Sequence, residues 1–75
     1  MPHIIVKLWP GKSEEQKQQF ADLIVKAGVD LLGKDEGAFS VAMEEISPND
    51  WAEAVYRPEI VPNLDKLYKK PGYKM

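Results

Sequence analysis

Seventy-five residues, with ten Lys or Arg against twelve Asp or Glu and a formal charge of −2, leave room for one small domain, expected to occupy residues 1–75 as a single unit. A hydrophobic fraction of 44% is too high for a disordered chain, no apolar run approaches the ~18 residues of a membrane span, and no signal peptide is evident, so a cytoplasmic address is expected. Zero cysteine and one histidine exclude a disulfide framework, a thiol nucleophile and a Cys- or His-rich metal site, and the balanced charge argues against a nucleic-acid partner.

Residues 3–8, H-I-I-V-K-L, predict a strand with Ile4, Val6 and Leu8 on one face and His3, Ile5 and Lys7 on the other. Trp9, Pro10 and Gly11 end it in a turn. Ser13 with Gln16 three residues on is a capping-box pattern, so a helix starts there. Its apolar positions Phe20, Leu23, Ile24, Ala27, Leu31 and Leu32 form the expected packing stripe, and Gly33 is placed to end it in a left-handed cap. Residues 39–46, F-S-V-A-M-E-E-I, predict a second strand, with Phe39, Val41 and Met43 opposite in face to Ser40, Ala42 and Glu44. A connection that holds a long helix makes the two strands parallel, a βαβ unit.

Residues 47–50 read as a polar loop and 51–56 as a short segment expected to form a single helical turn. Pro58 reads as the first position of a second helix packed through Ile60, Leu64, Leu67 and Tyr68, kinked or delayed by Pro62 and ended by Pro71 and Gly72. The expected class is therefore α/β, one βαβ unit followed by a C-terminal helix. Two parallel strands are not stable alone, and a domain of this size buries little over ~60% of its unfolded surface. A homodimer that completes a larger sheet is expected on those grounds.

Proline follows the initiator methionine. Removal of Met1 turns the Pro2 nitrogen from an amide into a secondary amine; an α-amino group titrates near ~7.7–8.0, and burial in an apolar site lowers that further. With no Cys and one His, Pro2 is the foremost candidate for a general base at neutral pH, although a Met-Pro start also suits a protein with no use for the amine. Strand alternation sends His3 to the face opposite Pro2, which makes it structural or interfacial. Glu44 and Glu45 point to opposite faces and make no paired-carboxylate site. The cluster of Lys66, Lys69, Lys70 and Lys74 reads as a solvated helix end.

Pro2 ahead of a β-branched strand, Lys12 in the turn, the S-E-E-Q-K helix start, F-S-V-A-M-E-E-I and a loop ending in Trp51 together resemble the 4-oxalocrotonate tautomerase family along the whole chain. The opening M-P-H-I and the ending P-N-L-D-K-L-Y-K-K-P-G-Y-K-M look more like the dimeric branch of small tautomerases that act on phenylenolpyruvate-type enols than the shorter hexameric branch. This resemblance implies the β-α-β tautomerase fold, no cofactor, and a homodimer in preference to a hexamer. It also implies that Pro2 is the base that moves a proton between oxygen and carbon of an enolpyruvate-like or 2-hydroxy-dienoate acid.

Carried over by position, the resemblance makes Lys12 the cation for an anionic oxygen, where the family often has arginine, and Trp51 the ring that keeps water from the amine. At Ser40 the chain departs from the hexameric enzymes, which carry a second arginine there. Ser40 in the substrate site without that charge favours a monocarboxylate with an apolar or aromatic tail, and Arg57 is the candidate replacement cation. Lys12 and Arg57 both stand open as partner of the carboxylate. Two alternatives accompany this reading: a hydratase- or dehalogenase-type lyase on the same scaffold, and a non-enzymatic dimeric ligand-binding or accessory protein.

Overall fold

In the computed structural model, which describes residues 1–75, β1 spans His3–Leu8 and alternates as its sequence requires: Ile4, Val6 and Leu8 are half-buried while His3 and Ile5 are exposed. A second strand, β2 (Ser40–Glu45), runs parallel to it, with His3 opposite Ser40, Ile4 opposite Val41 and Val6 opposite Met43. Between them α1 (Glu14–Leu32) makes the crossover that parallel pairing demands. β2 starts one residue later than its sequence suggests, because the Phe39 N–H is taken by the carbonyl of Glu36, closing a 3₁₀ turn at Glu36–Ala38. These elements form one compact unit, Met1–Glu45, and the rest of the chain, Ile46–Met75, forms a second.

Both ends of α1 follow from local chemistry. The Ser13 hydroxyl accepts from the Gln16 N–H at 3.0 Å, the Gln16 side chain accepts from the Ser13 N–H at 3.0 Å, and two otherwise unpaired amides are satisfied. Gly33 ends the helix at φ 67°, ψ 29°, where a Cβ would be strained, and its N–H reaches the Val29 carbonyl at 3.2 Å. Ser13→Ala is expected to lower stability by about 1 kcal/mol, read as a lower midpoint in a urea melt at unchanged slope.

The face of α1 turned to the sheet is not the expected stripe. Ala21, Ile24, Val25, Gly28 and Val29 are the covered positions, while Leu23 and Leu31 remain 63% and 83% exposed. The reason is size. Small residues let the helix approach the strands, and the clearest case is Gly28, where an added Cβ would lie 2.2 Å from the Phe39 ring. Of the expected stripe Ile24 is covered, whereas Phe20, Leu23, Leu31 and Leu32 are left on the outer side, and α1 has no fully buried residue.

Lys17 fastens the helix start to the strand end: its ammonium meets Glu14 at 2.7 Å and Glu45 at 3.3 Å. The hydrogen bond to Glu14, with a smaller share from Glu45, raises the Lys17 pKa above its ordinary value. A raised pKa means the lysine keeps its charge at neutral pH, and its share of the tie is lost as strong alkali removes the proton.

In the second unit the sequence-based boundaries need correction. Ser47 is the N-cap and Pro48 the first residue of α2 (Pro48–Trp51), so residues 47–50 are a helix start and not a loop. The run continues without a break as a wider π-type winding over Ala52–Ile60 and a 3₁₀ stretch over Val61–Lys66. Pro58 lies inside this run, not at its start. Proline there has no N–H for the carbonyl four residues back, and the chain responds with five-residue spacing, as in the Val61 N–H bond to the Tyr56 carbonyl. The run stops at Lys66, ahead of Pro71, so Leu67 is its cap and Tyr68 stands fully exposed instead of packing. Val55 and Tyr56, at 5% and 8% exposure, are the chain's buried core residues. No helix is long and apolar enough to cross a membrane.

Candidate active site

Pro2 immediately precedes β1 and is half-buried behind an exposed Met1. Its carbonyl accepts from the Ser40 N–H at 3.1 Å, which extends the parallel ladder by one bond and fixes Pro2 at the amino-terminal edge of the sheet. The same Ser40 places its hydroxyl 2.6 Å from His3 Nδ1. Of the residues singled out from sequence, Ser40 is therefore brought directly to Pro2. His3 joins them, a grouping that strand alternation alone did not indicate.

Lys12 lies at the other end. Pro2 and Leu8, the residue that ends β1, are six residues apart along an extended chain, about 20 Å at ~3.3 Å per residue, and Lys12 lies beyond Leu8. Gly11, at φ 123°, makes the reversal that aims the chain into α1. Lys12 lines a hollow of about 310 Å³ with Leu8, Gln16, Lys17 and Phe20, an apolar floor with cationic edges. A larger hollow of about 500 Å³ along the second half of α1 contains none of the expected residues. Its rim holds Asp22, Asp30 and Glu36 against Lys26 alone, which makes it a poor receptor for an anionic acid.

In the second unit, the Trp51 indole N–H donates to the Tyr73 hydroxyl at 3.0 Å, and the Tyr73 ring lies 5.7 Å from that of Tyr56, tilted by 37°. The π-type winding explains the cluster, because residues five apart return to nearly the same face and Trp51 and Tyr56 are so spaced. Tyr56 and Tyr73 were not singled out from sequence; the terminal P-G-Y gave the one signal, a turn that carries an aromatic back. The Arg57 guanidinium is paired with Glu53 one turn earlier, on the exposed surface. No cluster of His, Cys, Asp or Glu suits a metal ion.

A family described as tautomerase enzyme matches residues 2–59 of this sequence. The chain belongs to the tautomerase family. This tautomerase is 43% identical to tautomerase PptA of Cronobacter sakazakii over 76 residues that cover all of both chains. It is 45% identical to tautomerase PptA of Pectobacterium carotovorum over 74 residues, 97% of each chain. Among solved structures it is similar to TomN, a 4-oxalocrotonate tautomerase homologue of the tomaymycin biosynthetic pathway, with a TM-score of 0.65 and 30% identity over 67% of this chain and 77% of that one. The β-α-β fold expected from sequence is thus the fold of the family. The protein is an isomerase, and the non-enzymatic alternative falls away.

Proposed function

We propose that Pro2, freed by removal of Met1, is the general base of a cofactor-independent keto-enol tautomerisation, with residues 1–75 acting as one cytoplasmic catalytic domain. The observation that carries this reading is the Ser40 N–H bond to the Pro2 carbonyl, which anchors the proline to a strand and leaves its nitrogen at the sheet edge. The substrate is a monoanionic enolpyruvate-like acid with an apolar or aromatic tail. The amine takes the enol hydroxyl proton, negative charge gathers on that oxygen, and the resulting ammonium returns the proton to C3, giving the 2-oxo acid with no net gain or loss of atoms.

The oxygen that gains charge needs a cation beside it. Arg57 is engaged with Glu53, whereas Lys12 edges an apolar hollow. A small acid does not bridge the ~20 Å between Pro2 and Lys12 of one chain. The partner of Pro2 is therefore the partner subunit's Lys12, in a homodimer whose two β1 strands lie antiparallel along their free edges. A two-fold axis there completes a four-stranded sheet and sets the start of each β1 beside the end of the other.

The test uses phenylenolpyruvate and protein shown by mass spectrometry to lack Met1. Ketonisation is expected, and protein that keeps Met1 is expected to be inactive. Lys12→Ala is expected to lower kcat by about 10²-fold. Co-expressed Pro2→Ala and Lys12→Ala chains are expected to recover about one quarter of wild-type activity, because half the dimers are mixed and each mixed dimer has one intact site. No recovery would remove the shared arrangement.

A further inference from the structure

On the sheet face that α1 does not cover, the register sets His3 beside Ser40, Ile5 beside Ala42 and Lys7 beside Glu44. The first of these pairs adjoins Pro2. The 2.6 Å contact between Nδ1 and the Ser40 hydroxyl fixes the imidazole plane, and because the two ring nitrogens diverge, Nε2 is turned away from Ser40. His3 is exposed, so that nitrogen is open to a ligand. Where the hydroxyl donates to Nδ1, the neutral ring carries its proton on Nε2; where the ring is charged, both nitrogens donate. In these two states Nε2 presents an N–H, whereas the tautomer whose Nδ1–H donates to the Ser40 oxygen leaves Nε2 a bare acceptor; an anionic ligand selects the former.

The chemistry of the substrate says where such a donor is wanted. In an enolpyruvate-like acid the carboxylate is bonded to the carbon that bears the hydroxyl, so a group that binds it must stand next to the base. The Pro2 nitrogen is a main-chain atom at the strand end, and the alternation that separates the His3 and Pro2 rings does not separate His3 from a ligand seated on that nitrogen. We propose that His3 Nε2 anchors the substrate carboxylate, with Ser40 as the positioning residue that holds the imidazole; this rests on Pro2 being the base. The division of labour is then Lys12 on the oxygen that changes charge and His3 on the carboxylate that does not.

Cinnamate, an unreactive aromatic carboxylate, and its neutral counterpart cinnamamide are the probes, measured by calorimetry on the processed full-length chain. His3→Ala is expected to weaken cinnamate about tenfold and leave cinnamamide unchanged, as suits loss of one charge-assisted hydrogen bond. His3→Gln, which keeps a neutral donor, and Ser40→Ala are each expected to weaken it about threefold. The His3→Ala, Ser40→Ala double variant is expected to match His3→Ala alone, because Ser40 acts through the ring. In turnover, His3→Ala is expected to raise KM for phenylenolpyruvate about tenfold with kcat within about threefold. Wild-type protein that fails to bind cinnamate, unchanged affinity in His3→Ala, or an equal loss for cinnamamide each overturns the assignment. Pro2→Ala separates the two readings: normal turnover in that variant refutes the base alone, whereas unaltered cinnamate binding in His3→Ala refutes the anchor alone.

Discussion

Pro2→Ala is expected to reduce ketonisation by about 10²–10⁴-fold, the range that a positioned base contributes. The variant keeps an amino terminus once Met1 is removed, so the loss measures placement and not mere absence of an amine. Proline locks φ through its ring and presents a secondary nitrogen in one direction, whereas alanine presents a primary amine free to turn about the N–Cα bond. The fold has no stake in the exchange. The bond from the Ser40 N–H ends on the carbonyl of residue 2, which alanine also supplies, and stability is expected to change by no more than about 0.5 kcal/mol. Stopped-flow loss of the enol absorbance, with thermal melts of both proteins, checks both halves. An unchanged rate at unchanged stability would take the base away from Pro2.

The largest effect on stability is expected from Gly28→Val. A Cβ at position 28 would lie 2.2 Å from Phe39 Cε2 and 2.6 Å from Cζ, well inside van der Waals contact. The main chain of Phe39 cannot withdraw, because its N–H is bonded to Glu36 and the next residue to Pro2, so relief has to come from rotation of the ring out of its contact with α1. Overpacking of this kind costs about 1–3 kcal/mol, and the branched side chain adds crowding on the helix. The melting temperature is expected to fall by about 10 °C or more. Gly37→Ala serves as control: nothing lies within 4 Å of its added Cβ, and a change within about 0.5 kcal/mol is expected. Since Phe39 leads straight into Ser40, the Gly28 variant is also expected to lose activity at temperatures where it remains folded.

Both strands and both caps of α1 were legible in the sequence because their signals are local. Alternation in H-I-I-V-K-L, a serine three residues before a glutamine, and a glycine after the last apolar turn each carry their own stereochemistry. The buried face of α1 was misjudged for a physical reason. Leucines at 23 and 31 look like core, but close approach to the strands selects Ala21 and Gly28 and leaves the leucines outside. The second unit was harder, since S-P-N-D serves a loop or an N-cap equally well and a search at a period of 3.6 is blind to winding with five-residue bonds. Pro2 could be singled out from its place in the chain. The His3–Ser40 pair could not, because a contact between residues 37 apart exists only once the register of β1 on β2 is known.

That same register governs how the chain acquires its structure. The first strand leaves the ribosome long before the segment that will lie next to it, and Ile4, Val6 and Leu8 must wait, unpaired, until the whole crossover helix and the turn behind it have emerged. Pairing across such a separation carries the entropy of closing a large loop, so it is slow unless the intervening helix forms early and shortens the path. The capping box at Ser13 thereby does double duty, since a helix that nucleates promptly also limits the time during which a bare apolar edge is exposed to aggregation.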